Sequence, residues 1–242
     1  MGMGRSGEFG ATNMSLKTLI AEAYRVKRFE IDGGPGWIDS DTYDITAKPT
    51  VDPKPGATSK EAYANVQLML QTLLEDRYAL KVHHETKELP VYALVVAKGG
   101  LKVQPSDCVK PDAPPPPSPA PGHAQPAFCD NIRVSRSGQN LVMTGTGITM
   151  ARLISALSGA THRTVIDRSD YSQPFNATLE WAADQGAASP RAEDGSDSPA
   201  PADTSGASLF TALQEQLGLK LESTKGPVEV VVIDHVEKPT PN

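Results

Sequence analysis

The chain has 242 residues and a net charge of −6, with 38% hydrophobic and only 5% aromatic residues. This length suits one large domain or two small ones, with cores built mainly from Leu, Val, Ile and Ala. The sequence has no cluster of five or more Lys and Arg, so we expect no nucleic-acid partner, because phosphate binding needs clustered positive charge. The longest apolar run, residues 228–233, is interrupted by Glu229, so we expect no membrane span.

Residues 1–10 lack the apolar core of a signal peptide, and we expect them to be disordered or not native to the chain. A cytosolic location would follow from that absence alone. The cysteines favour an oxidising compartment instead. Cys108 and Cys129 lie near the ends of a Pro-rich loop, residues 101–130, and a bridge between them would close about 20 residues. Two free thiols are the alternative, and the spacing does not fit a metal site.

The first half predicts two helices, a strand between them and a final hairpin. Apolar residues at a period of 3.6 predict a helix over residues 13–26, capped by Asn13 or Ser15. A glycine-rich turn at residues 33–36 and a strand at 43–48 follow. A second helix then begins at a capping box, Thr58 with Glu61. It leads into a hairpin with strands at 80–85 and 91–97.

The second half predicts a similar order after a first pair of strands. Those two strands, residues 132–135 and 141–144, are joined around Ser137-Gly138. The later elements are a helix at 149–157, strands at 164–167 and 175–181, a helix from Ser208 to a Gly218 cap, and a hairpin ending near 238. Residues 184–205 are rich in Ala, Ser, Pro and Asp, and we expect a disordered insert.

The two halves repeat one another. Leu80-Lys81-Val82 matches Leu219-Lys220-Leu221, and Pro90-Val91 matches Pro227-Val228. We therefore predict an α+β fold of two pseudo-repeats, residues 11–100 and 131–242, each a helix, a strand, a helix and a hairpin. Mostly antiparallel sheet with helices on one face is the expected arrangement. Chance recurrence of common α+β patterns is the alternative.

Several segments together resemble a family of uncharacterised proteins from soil bacteria that is abundant in acidobacteria. The resemblance covers nearly the whole chain after residue 10. The segments that carry it are Ala11–Ile20, Gly33–Asp39, Tyr43–Ile45, Leu73–Tyr78, Pro90–Tyr92, Val165–Arg168, Phe175–Trp181 and Leu209–Val236.

This resemblance implies an activity and a location. The activity is hydrolysis of the lactone ring of N-acylhomoserine lactones, which are bacterial quorum-sensing signals, so the expected partner is a small-molecule acyl lactone. Members of the family usually carry an export signal, which implies an extracytoplasmic location, periplasmic or secreted, and suits the disulfide. No catalytic residue of this chain can be identified from the resemblance.

Lactone hydrolysis needs a base for water and a group that stabilises the oxyanion. The chain lacks a Gly-x-Ser-x-Gly elbow and the His-x-His-x-Asp-His cluster of dimetal lactonases. We expect His84 to face inward, because it continues the alternation of Leu80 and Val82 along its strand. If the two hairpins pair, His84, Glu85, Asp234 and His235 would form a base or metal site. Strand-edge histidines without a role are the simpler interpretation.

Three carboxylates near the glycine turn supply oxygen ligands of the type that Ca²⁺ prefers. Asp39, Asp41 and Asp44 are therefore a candidate site for Ca²⁺ or another divalent metal, although their spacing is not that of an EF-hand. Turn capping by Asp39 is the alternative. A non-catalytic extracytoplasmic module that binds a peptide, glycan or envelope component through sheet edges is the rival to the hydrolase. The oligomeric state is not predicted.

Overall fold

The computed structural model describes residues 2–3, 9–48, 59–106, 108, 129–183 and 206–239. The chain forms two compact units. Unit 1 comprises Met1–Leu89 with Pro227–Asn242, and unit 2 comprises Pro90–Gly226. These units differ from the predicted halves, because each of two long strands begins in one unit and ends in the other.

The elements follow one another in the order below. The first are β1 Gly2–Met3, β2 Phe9–Ser15, α1 Leu16–Tyr24, a 3-10 turn Arg28–Glu30, β3 Ile31–Gly33, α2 Trp37–Ser40, β4 Thr42–Ala47, α3 Ser59–Tyr78 and β5 Lys81–Val96. The others are β6 Gln104–Pro105, β7 Asn131–Ser137, β8 Asn140–Ile148, α4 Met150–Thr161, β9 Val165–Asp167, β10 Phe175–Ala182, α5 Leu209–Ala212, a π-helical turn Leu213–Leu217 and β11 Leu219–His235.

The strands form three sheets, with orders β1-β2-β4, β6-β10-β8-β7 and β3-β11-β5-β9. Antiparallel pairing joins β2 to β4, β8 to β10 and β7 to β8. Two short strands pair in parallel: β3 with the end of β11, and β9 with the end of β5. The fold is thus α+β with mostly antiparallel sheet, as predicted. The sequence duplication and the placement of helices on one face stay predictions.

The two predicted hairpins are wrong. Each is a single extended strand, β5 with 16 residues and β11 with 17. The common hairpin turns, two-residue or longer, place at least one residue at positive φ. No residue of β5 has positive φ, and neither has Gly226 in β11. The polar stretches that resembled turns are exposed strand residues.

Unit 1 is built around α1 and α3. The apolar stripe of α1 is buried together with one side of α3, and the buried side chains include Leu16, Leu19, Ile20, Leu70 and Leu74. The helix begins at Leu16 rather than near residue 13, because Asn13 belongs to β2 and has a φ of +53°. Phe9 is 2% exposed in the same core, so strand β2 extends into the segment that we expected to be disordered.

Unit 2 has a separate core, formed by α4, the π-helical turn and strands β5, β8, β10 and β11. Met150, Leu153 and Leu157 of α4 are buried there, as their spacing predicted. Thr149 caps α4 by accepting a hydrogen bond from the N–H of Arg152. Gly218 ends the last helical segment with a φ of +67°, as predicted.

The predicted disulfide between Cys108 and Cys129 is present. It lies against Gly147, whose φ is +57° and whose added Cβ would overlap the Sγ of Cys108. The N–H of Asp130 donates to the carbonyl of Gly147 at 3.0 Å. The bridge thereby fixes both ends of the Pro-rich loop against the end of β8. Residues 109–128 of that loop, the predicted insert 184–205 and Thr58 lie outside the described residues.

Candidate functional site

The first half of β5 carries exposed polar side chains that meet carboxylates from neighbouring strands of unit 1. His83 and Asp234 are the best-defined pair. The Nδ1 of His83 lies 2.9 Å and 3.0 Å from the two carboxylate oxygens of Asp234, although the residues are 151 positions apart in the chain. Their side chains are 51% and 47% exposed, so water reaches both. We call this pair the His83–Asp234 dyad.

A carboxylate facing Nδ1 has a definite chemical effect on an imidazole. It holds the ring in one orientation and favours the tautomer whose proton is on Nδ1. The Nε2 atom is then the nitrogen that can accept a proton from water or another donor. The dyad therefore has the two parts of a general base and its positioning group.

The two neighbouring histidines make different pairs. The Nδ1 of His84 lies 2.9 Å from Glu229, and the His84 ring lies 6.4 Å from that of Tyr24. The Nε2 of His235 lies 2.9 Å from Glu237, only two residues further along the chain. His84 does not face inward as expected. Its side chain is 50% exposed, because the residues from His83 to Thr86 are exposed on both faces of the strand.

Lys87 joins two carboxylates on the same part of unit 1. Its Nζ lies 2.6 Å from Asp32 and 3.2 Å from Glu85. The hydrogen bond from Lys87, followed by that from the N–H of Gly33, lowers the pKa of Asp32. The same hydrogen bond to Asp32, with a second to Glu85, raises the pKa of Lys87. Both groups therefore stay charged near neutral pH.

The four residues of the predicted site are not joined to one another. Each has its hydrogen bond or ion pair with a residue outside the set: His84 with Glu229, Glu85 with Lys87, Asp234 with His83 and His235 with Glu237. His83 is not one of the residues of the predicted site. Only the pairing of β5 beside β11 would have identified His83 as the partner of Asp234.

The three candidate calcium ligands also lie in separate interactions. Asp39 accepts hydrogen bonds from Arg28 at 2.7 Å and Lys17 at 3.2 Å, and Asp41 accepts one from Lys238 at 2.7 Å. Asp44 accepts from the N–H of Asn13 at 2.8 Å, at the point where the register of β2 against β4 shifts. Burial raises the pKa of Asp39, but the hydrogen bonds from its two cations outweigh that effect and the pKa is lowered.

No ligand set for a metal forms in the part of the chain that the structure describes. There, no three His, Cys, Asp or Glu side chains lie close enough to hold a metal ion. The predicted carboxylates are instead spread over α2, the residue after it and β4, and cations or backbone N–H groups already satisfy them. They do not fit a Ca²⁺ site, and we derive no chemistry from one.

Unit 2 contains a concavity between the turn after β5 and the π-helical turn. It is lined by Ala97, Lys98, Gly99, Lys102, Gln214, Glu215 and Lys220. Lys102 donates from its N–H to the carbonyl of Leu217 at 2.9 Å and from its Nζ to the carbonyl of Glu215 at 2.7 Å. Because a helix end exposes carbonyl groups that attract cations, we assign Lys102 a capping role.

The chain belongs to a family described as "Protein of unknown function (DUF3738)", whose model matches residues 17–236. No curated protein and no solved structure matches the chain. Among the described residues, no helix is both long and apolar enough to cross a bilayer.

Proposed function

We propose that this member of the DUF3738 family hydrolyses the lactone ring of N-acylhomoserine lactones with water activated by His83. The observation that carries the proposal is the contact of His83 Nδ1 with both carboxylate oxygens of Asp234, at 2.9 Å and 3.0 Å. This contact orients an imidazole as a base at a position that water reaches. The choice of substrate rests on the resemblance described above.

The proposed reaction follows from the chemistry of the dyad. The Nε2 of His83 takes a proton from water, and the hydroxide attacks the lactone carbonyl to form a tetrahedral oxyanion. The ring C–O bond then breaks, and the imidazolium returns the proton to the leaving alkoxide. The products are a carboxylic acid, which releases its proton to solvent at neutral pH, and a free hydroxyl group. The Asp234 carboxylate stabilises the imidazolium through its contact with Nδ1.

The test is direct measurement of ring opening. Purified protein is incubated with a long-chain N-acylhomoserine lactone, with and without EDTA, and the opened product is followed by mass spectrometry against a buffer blank. We expect turnover that EDTA does not abolish, and a loss of about 10²-fold or more in His83→Gln. Absence of turnover above the blank would refute the proposal, and EDTA-sensitive turnover would overturn its metal-free mechanism.

His235→Gln is the matched control. His235 is also paired with a carboxylate at 2.9 Å, and its side chain is 47% exposed, close to the 51% of His83. It differs in that Glu237 is its near neighbour in the chain. We expect this variant to keep the activity of the original protein. An equal loss of turnover in both variants would contradict the assignment of the catalytic base to His83.

A second candidate function is a non-catalytic extracytoplasmic module that binds a peptide, glycan or envelope component. The observation that favours it is that the paired side chains of β5 and β11 are 31–71% exposed, as on an ordinary solvated sheet surface. The disulfide supports an extracytoplasmic location for either function, because such bridges persist in oxidising compartments. Turnover in the lactone assay distinguishes the two candidates.

A further inference from the structure

Strand β7 is the last strand in its sheet, whose order is β6-β10-β8-β7. It pairs with β8 over all seven residues, from Asn131 opposite Thr146 to Ser137 opposite Asn140. The register is continuous, without a bulge, and the strand contains no proline. Bulges, prolines and charged side chains are the usual means of preventing an edge strand from pairing with another chain, and of these β7 has only the charges of two arginines. Among the described strands of unit 2, β7 is therefore well shaped to accept one more strand.

The side chains of β7 give its two faces different character. Ile132, Val134 and Arg136 share one face, and Asn131, Arg133, Ser135 and Ser137 share the other. Ile132 packs against the core of unit 2, and Val134 lies opposite the buried Met143 of β8. Val134 is nevertheless 55% exposed. The apolar face of the sheet thus continues to the edge and leaves a valine uncovered there.

The charge of β7 is entirely positive. The strand carries Arg133 and Arg136 and no acidic residue, whereas the whole chain has a net charge of −6. Both arginines are exposed, and neither forms an ion pair with any residue that the structure describes. Because they are three residues apart, they point to opposite faces of the strand. An added strand would meet one guanidinium on each of its faces.

We propose that the β7 edge binds an extended acidic peptide segment by strand addition. In an antiparallel pairing, the segment places acidic side chains opposite Arg136 and Arg133 and an apolar side chain opposite Val134. The matching pattern is acidic, any, apolar, acidic. Main-chain hydrogen bonds to β7 supply affinity, and the alternate side chains supply specificity. The inference concerns unit 2 and is independent of the hydrolysis assigned to His83.

A second copy of the chain fits this edge less well. Antiparallel pairing of β7 with its own copy, centred on Val134, would cover that valine and place each Arg133 opposite a Ser135 and each Arg136 opposite an Ile132. None of the four arginines would then face a carboxylate, and their repulsion would be uncompensated. Charge complementarity therefore favours an acidic peptide over self-association.

The test uses the labelled peptide Thr-Glu-Thr-Val-Glu-Thr, in which Glu, Val and Glu match the pattern, and fluorescence anisotropy. Its comparison peptide has Lys at both Glu positions. We expect binding of the acidic peptide only, and at least a tenfold loss of affinity in Arg133→Glu/Arg136→Glu, which should bind the lysine peptide instead. Unchanged binding of the acidic peptide by this variant would overturn the proposal.

Two controls separate strand addition from adsorption to positive charge. Lys98→Glu/Arg168→Glu changes two exposed cations of unit 2 and alters the net charge equally, and we expect it to bind like the original protein. Two acidic peptides are N-methylated at alternate residues, in the two alternate patterns. Only the pattern that methylates the N–H groups facing β7 removes main-chain hydrogen bonds, so one peptide should bind more weakly than the other. Equal binding of both would overturn strand addition. Concentration-dependent dimerisation that Val134→Glu abolishes would assign the edge to a second copy instead.

Discussion

Gly218 holds a close approach between two segments of unit 2, and its replacement by alanine tests that approach. The residue has a φ of +67° at the end of the π-helical turn. A Cβ added there would overlap the carbonyl oxygen of Gly100. The same turn is fixed by two hydrogen bonds of 2.9 Å, from the N–H of Ala97 to the carbonyl of Gly218 and from the N–H of Lys102 to that of Leu217.

The expected cost follows from these contacts. A side chain in the left-handed conformation costs about 1 kcal/mol. Displacement of the turn weakens the two hydrogen bonds, each of which contributes about 1 kcal/mol. Gly218→Ala should therefore lower the free energy of unfolding of unit 2 by up to about 3 kcal/mol, the value reached if both hydrogen bonds are lost. Gly138→Ala is the matched control, because Gly138 has a φ of +62° but nothing lies within 4 Å of its added Cβ.

The assay is urea denaturation followed by the fluorescence of Trp181, which is 5% exposed in the core of unit 2. Trp37→Phe serves as the common background, so that unit 1 does not contribute to the signal. We expect Gly138→Ala to cost about 1 kcal/mol or less, since alanine also stiffens the unfolded chain. Equal losses in the two variants would refute the close approach at Gly218.

Three further predictions concern charge, burial and the disulfide. The hydrogen bond from Lys87 lowers the pKa of Asp32 below 3.8, so its contribution to stability is present above that pH and lost as the pH falls. Asp32→Asn should make the urea midpoint fall less steeply as the pH is lowered, and an unchanged pH dependence would contradict this. Burial, with a smaller effect of Tyr43, raises the pKa of Tyr78 from 10.0 to about 12, so stability should fall as the pH rises through that range. When phenolate absorbance is followed as the pH rises, Tyr78→Phe should remove the step at the highest pH. Persistence of that step in the variant would contradict the assignment. Cys108→Ser/Cys129→Ser should cost about 3 kcal/mol in urea, and reduction should then leave the midpoint unchanged.

Elements with a strong local pattern could be predicted from the sequence. The apolar spacing of α4, the Ser137-Gly138 turn between β7 and β8, and the left-handed Gly218 all follow from interactions within a few residues. The disulfide was predictable from composition, since the only two cysteines flank a Pro-rich loop. These features need no knowledge of how distant segments meet.

The errors occurred where distant pairing decides the conformation. Residues 86–88 and 222–225 are polar and resemble turns, but neighbouring strands of the sheet hold them extended. Asn13 fits a helix start locally, yet its N–H donates to Asp44 and its φ is positive within β2. The candidate site could not be predicted for the same reason, because His83 contacts a residue 151 positions away in the chain.

His83 and Asp234 are proposed to act together as one catalytic base. A double-mutant cycle on kcat/KM for lactone opening, with His83→Gln, Asp234→Asn and both changes, measures whether they do. If the two residues act as a unit, the double variant should be no slower than the slower single variant. Losses that multiply, or single variants with unchanged kcat/KM, would contradict the dyad.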